Sequence, residues 1–68
     1  MNKFSERLKK LRAEQGFSLT ELAKKTGYGK ATVKAWETGE RKPKNIIPLI
    51  IFADLFNVST DYLIGLKN

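Results

Sequence analysis

The chain has 68 residues, with 13 Lys and Arg against 7 Asp and Glu for a net charge of +6, and it contains neither cysteine nor histidine. That length makes one small domain, expected to span 1–68, and the missing side chains remove disulfide staples, thiolate nucleophiles and the usual zinc ligands together. A catalytic constellation would then need a cleft of perturbed carboxylates or lysines, which nothing in the sequence suggests, so the chain is read as a non-enzyme with no cofactor, no metal and no small-molecule substrate. The longest apolar stretch, 46–53, is broken by Pro48 and falls well short of the roughly 18 residues of a membrane span. No apolar run follows the first charges, so no signal peptide and no membrane partner are expected, and the cytoplasm, beside the nucleoid, is the default location.

In chain order, the first helix is predicted over 3–15, with Phe4, Leu8 and Leu11 on one stripe and Glu6, Arg7, Lys9, Lys10 and Glu14 mostly off it. Gly16 ends it. The second helix has a full set of start signals: Ser18 as N-cap, Glu21 three residues on to complete a capping box, and Phe17 placed to staple onto Leu22. Gly27 stops it, because a C′ residue usually takes the left-handed conformation that glycine adopts without a side-chain clash. Tyr28 and Gly29 form a tight connection. The third helix starts at Lys30 and sets Val33 and Trp36 on one inner face before Gly39 closes it. Small Ala23 lets two steeply crossed helices approach, so 18–39 reads as a helix-turn-helix.

The polar segment 39–44 is expected as a loop, with Pro43 holding Lys42 out of helical geometry. Asn45 is the candidate cap of a fourth helix that carries Pro48 in its first turn and continues through Ile50, Ala53 and Phe56 to end at Asn57. Ser59 then caps a short fifth helix over 60–64, with Val58 and Leu63 as its staple and Gly65 at its end. No strand pattern competes. The fold expected is all-α, a compact five-helix bundle.

The positive charge calls for an anionic partner, and its distribution narrows the choice. Between positions 16 and 45 lie Lys24, Lys25, Lys30, Lys34, Arg41, Lys42 and Lys44 against Glu21, Glu37 and Glu40. Lysines that merely keep a small domain soluble are the plain alternative.

Four stretches, FSERLKKLR, SLTELAKKTG, KAWETGERKP and NVSTDYLIG, together resemble the Cro and phage-repressor class of helix-turn-helix proteins, the XRE family, over nearly the whole chain. The resemblance implies sequence-specific binding of double-stranded DNA by a transcriptional regulator, a repressor in the first reading, with the recognition helix 30–37 in the major groove and the second helix crossing the backbone. Carried over position by position, base reading falls on Lys30, Ala31, Lys34 and Ala35, with Gly29 at the tip of the turn. Lysine can donate to guanine O6 and N7, whereas alanine offers only apolar contact with a thymine methyl. Lys34 reaches a base or a phosphate equally well. Thr32 can bond a phosphate or turn in toward the second helix, and Val33 and Trp36 belong to the core.

For the backbone, the resemblance implies contacts from the free amides of Leu19, Thr20 and Glu21 at the start of the second helix, and from Thr38, Arg41, Lys42 and Lys44 in the following loop, Arg41 being also a candidate minor-groove reader. It further implies a structural pair of Arg12 with Glu37 that holds the recognition helix in its frame, the alternative being two unrelated surface charges. Three departures stand out: Leu19 where many members have a phosphate-bracing glutamine, Gly29 where serine or threonine often caps the third helix, and Ile47 and Ile51 at positions usually polar. The resemblance implies a homodimer, formed at least on a palindromic operator, and Ile47, Pro48, Ile51, Thr60, Tyr62 and Leu66 are its candidate interface. The alternative is a protein-interaction module, such as an antitoxin or partner-binding regulator, using that same apolar surface.

Overall fold

The computed structural model describes residues 3–66, which fold as α1 (Lys3–Glu14), α2 (Leu19–Thr26), α3 (Lys30–Thr38), α4 (Ile47–Phe56) and α5 (Thr60–Ile64), with no strand among the described residues. Each helix contributes one apolar side chain that is 0% exposed: Leu8, Leu22, Val33, Phe52 and Leu63 in turn. Five short helices thus share one core. Phe4, Leu11, Ala23, Trp36, Ala53 and Phe56 complete it, and Phe52 is its hub, with ring centroids 6.2 Å from Phe4 and 5.8 Å from Trp36, the latter edge-on.

The helix ends follow from local chemistry. Ser18 accepts from the Glu21 amide at 3.1 Å while the Glu21 carboxylate accepts from the Ser18 amide at 2.9 Å, a closed capping box. Hydrogen bonding to the Glu21 carboxylate, first from the Ser18 backbone amide and then from the Ser18 side chain, holds this carboxyl below the usual glutamate range. Gly27 ends α2 at φ 83°, a conformation in which a side chain is strained, and its amide closes onto the Ala23 carbonyl at 2.8 Å. Ser59 caps α5 through the Tyr62 amide. Asn57, not a glycine, takes the left-handed position after α4 at φ 56°, as asparagine tolerates.

One expectation for α4 changes. Its N-cap is Ile46, whose hydrocarbon side chain makes no cap bond, and Asn45 stands one residue earlier, where its Oδ1 accepts from the Ile47 amide at 3.0 Å. The short amide side chain closes a turn onto the residue two ahead and so sets the chain direction without occupying the cap itself. Ile50 lies outside the core, 51% exposed, while Phe52, Ala53 and Phe56 face inward. An almost wholly apolar helix has no polar face to orient it, so packing against the aromatic hub decides the rotation.

Candidate nucleic-acid interface

α3 presents its two faces cleanly. Val33, Trp36 and Glu37 are buried, whereas Lys30, Ala31, Lys34 and Thr38 are exposed, with Ala35 and Thr32 half-buried at the edges of the outer face. Lys30, Ala31 and Lys34 therefore stand together on the outer side, three and four residues apart. Gly29 is the N-cap in an extended conformation, with no side-chain cap bond, so the first amides of α3 have no intrahelical partner.

Polar clamps fix this helix at its far end. Arg12 on α1 grips Glu37 with Nε 2.6 Å from Oε2 and Nη2 3.1 Å from Oε1, and its Nη1 donates to the Phe17 carbonyl at 2.9 Å. The side chains are only 19% and 6% exposed, so water competes weakly for this fork. Beside it the Ser5 hydroxyl, fully buried, donates to the Trp36 carbonyl at 2.6 Å. Sequence reasoning passed over Ser5, because a serine on an amphipathic helix reads as surface and its partner lies 31 residues away. Tyr28, read only as a connection, is half-buried with its ring 5.0 Å from Trp36 and nearly perpendicular to it. Both residues tie α3 to its neighbours.

At the start of α2 the Glu21 amide is engaged by Ser18, which removes it from the expected phosphate contacts and leaves the amides of Leu19 and Thr20. Leu19 itself packs half-buried against the core. Past α3, Arg41, Lys42 and Lys44 are exposed, and the Thr38 hydroxyl donates to the Ala35 carbonyl at 3.1 Å and lies 3.3 Å from a Glu40 carboxylate oxygen. Its one proton has internal acceptors, so in this arrangement Thr38 has no donor for a phosphate oxygen.

The apolar surface differs from the expected interface. Pro48, expected in the interface, is instead buried in the first turn of α4. Ile51, Thr60 and Tyr62 are half-buried, and the Arg7 guanidinium lies 4.3 Å from the Tyr62 ring centroid while donating to the Tyr62 carbonyl. Ile47 and Leu66 are exposed, 57% and 75%, and Ile46, Ile50 and Ile64 join them. The exposed large apolar side chains are thus chiefly isoleucines at the start of α4 and the end of α5. No helix among the described residues is long and apolar enough to cross a membrane, and no cluster of metal-ligating side chains occurs among them.

A helix-turn-helix family model matches residues 8–63, from the middle of α1 to the last buried leucine of α5. The chain belongs to the helix-turn-helix family of Cro and phage-repressor type. It is 35% identical over 65 residues to the HTH-type transcriptional regulator YobD of Bacillus subtilis (strain 168), itself described as uncharacterized, covering 96% of this chain and 57% of that one. Among solved structures, a transcriptional regulator from Listeria innocua matches with a TM-score of 0.86 at 34% identity, over 96% of this chain and 60% of that one. The biofilm master regulator SinR, solved in complex with DNA, matches with a TM-score of 0.80 at 32% identity, over 88% of this chain and 95% of that one. The chain spans about half the length of the curated relatives it matches.

Proposed function

We propose that this helix-turn-helix domain binds duplex DNA sequence-specifically as a transcriptional regulator, a repressor in the simplest reading, with α3 in the major groove. The observation that carries this is the outer face of α3, where Lys30, Ala31 and Lys34 are free of the core while the inner face is clamped by Ser5 and Arg12. A rigid helix with long donors on one side can enter a groove about 12 Å wide and present them to guanine O6 and N7, with alanine against thymine methyl groups. Lys34 sits where it can serve a base or a phosphate. Arg41, Lys42, Lys44, the Thr32 hydroxyl and the amides of Leu19 and Thr20 supply backbone contacts that set register without reading sequence.

In the same reading two copies bind a palindromic operator. The exposed isoleucines of α4 and α5 support it, since two copies that cover this face across a two-fold axis would place their recognition helices one turn of DNA apart, roughly 34 Å. Selection of bound sequences from random duplexes at two salt concentrations tests both parts. A palindrome with half-sites one turn apart is the expected product, and recovery of no sequence preference at low salt overturns the reading.

A further inference from the structure

Two grooves share Lys3 on the side of the fold formed by α1, α4 and α5, and no residue of α2 or α3 lines either of them. The first, about 320 Å³, is lined by Lys3, Arg7 and Lys10 of α1 and by Tyr62 of α5, with Glu6 as its one acid. The second, about 220 Å³, is lined by apolar Phe4, Pro43, Leu49 and Ile64, with Lys3 and Lys42 as its charged residues. A basic half and an apolar half thus run on from one another.

Two of the cations are held in place by the fold. The Arg7 guanidinium lies 4.3 Å from the Tyr62 ring centroid and donates to the Tyr62 carbonyl. Lys3 lies so close to Gly65, which has a φ of 91°, that a Cβ there would fall 2.6 Å from the Lys3 Cγ. Groups fixed beforehand lose less freedom when a partner binds. Lys10 is exposed, and neither lysine makes an ion pair among the described residues. Steps of four and three residues set Lys3, Arg7 and Lys10 on one face of α1, roughly 6 and 4.5 Å apart along its axis.

We propose that this seam docks an acidic segment of a partner protein, with the segment's carboxylates along Lys3, Arg7 and Lys10 and one of its apolar side chains against Phe4, Leu49 and Ile64. Charge complementarity selects the occupant. A row of cations whose charge is not answered within the fold calls for an anion, and the apolar half beside it calls for a side chain that a phosphate backbone does not carry. Glu6 stands against a continuous run of phosphates, whereas spaced carboxylates leave it room. An extended peptide sets alternate side chains on one face about 6.6 Å apart, close to the step between these cations. Lys3, Arg7 and Lys10 have no part in the proposed DNA contacts, so the two surfaces can be tested apart.

The full chain is titrated with three synthetic peptides and followed by its amide shifts. One peptide carries a leucine followed by aspartates at alternate positions with glycines between them, the second has serine for the leucine, and the third has asparagine for every aspartate. The first should move the amides of Lys3, Arg7, Lys10 and Tyr62 together with those of Leu49 and Ile64. Loss of the leucine should weaken binding about tenfold, as for one buried apolar side chain, and remove the shifts at Leu49 and Ile64. The asparagine peptide should leave the spectrum unchanged. Lys10→Glu sets like charges together and should bind the first peptide about tenfold more weakly, while its affinity for duplex DNA stays within about threefold of wild type at about 0.15 M salt, where the Debye length is about 8 Å.

Other results overturn the docking site. No shift with the aspartate peptide at low salt removes it outright, and shifts centred on Lys30 and Lys34 instead mean that the peptide only follows the charge of α3. A loss of duplex affinity in Lys10→Glu equal to its loss of peptide affinity assigns the seam to a DNA strand. A wild-type chain that sediments as a dimer, with Lys10→Glu as a monomer, assigns it to a second copy. The peptide series leaves the protein unaltered, so it decides the matter even where the variant is unstable, and whether or not the chain binds duplex.

Discussion

Arg12 and Glu37 meet in a bidentate pair across the junction of α1 and α3, and the same guanidinium holds the Phe17 carbonyl just ahead of α2. One side chain thus fixes the relative placement of three segments. Removing one partner of a buried pair leaves the other charge uncompensated, which costs about 3 to 5 kcal/mol, whereas replacing both by apolar residues costs far less. Arg12→Ala is therefore expected to lose stability in that range by urea unfolding, and Arg12→Met with Glu37→Leu to recover most of it. Equal losses in the single and double variants would mean that the fork contributes through shape rather than charge.

Ser5 offers a second handle on the same helix. Its hydroxyl is buried on the Trp36 carbonyl, an acceptor in the last turn of α3 that has no amide four residues ahead within the helix. Ser5→Ala leaves that carbonyl without its hydroxyl donor, at a cost of about 1 to 3 kcal/mol. Urea denaturation reads the loss directly, and a neutral substitution would show that another donor replaces the hydroxyl.

Glu21 gives a pH-dependent outcome whose sign follows from its capping box. Its carboxyl titrates below the ordinary glutamate value in the folded chain because the Ser18 amide and hydroxyl bond to it. The stabilisation is therefore present above the unfolded-state value of about 4.3 and is lost as the pH falls through the lower folded value. The difference in melting temperature between the wild-type chain and Glu21→Gln should be constant near neutral pH and shrink below about pH 4. A difference that grows on acidification would contradict the box.

Those caps were legible because their signals are local. Ser18 with Glu21, Ser59, Gly27 and Gly65 each act within a few residues, so short-range chemistry fixes them whatever the rest of the chain does. The outer face of α3 was legible for a related reason, since Val33 and Trp36 contrast with lysines and alanines around one short helix. Arg12 and Glu37 are 25 residues apart, and only resemblance to a known family suggested pairing them. Contrast fails in α4, IPLIIFADLF, where apolar residues occupy nearly every direction, and this is why Pro48, buried in the structure, was expected on the surface. The burial of Ser5 on the Trp36 carbonyl and the packing of Tyr28 against Trp36 and Phe52 depend on neighbours brought from elsewhere in the chain, for which periodicity carries no mark.

On α3, Lys30 and Lys34 separate the two uses of a lysine. Lys30 stands at the first turn, where the resemblance implies base reading, and Lys30→Ala should relax preference at one operator position and cost about 1 to 3 kcal/mol. If Lys34 touches phosphate, Lys34→Ala should weaken all sequences alike and lower the salt slope by about one. Parallel sequence selections with the two variants check the assignment, and uniform weakening by Lys30→Ala would move that residue to the backbone class.

The isoleucine row on α4 makes the remaining test independent of DNA. Ile46 and Ile50 are spaced four apart and Ile47 lies beside them, all more than half exposed, so burying the row against a second copy removes apolar surface worth roughly 25 cal/mol per Å². A charge at its centre opposes that burial twice in a two-fold dimer, because each substitution meets its own copy or the same apolar face. Ile50→Glu should leave the melting temperature nearly unchanged, since the side chain lies outside the core. It should also shift sedimentation toward the monomer and weaken operator binding more than half-site binding. If the variant sediments as the wild-type chain does over the same concentration range, the α4 face is not where copies meet.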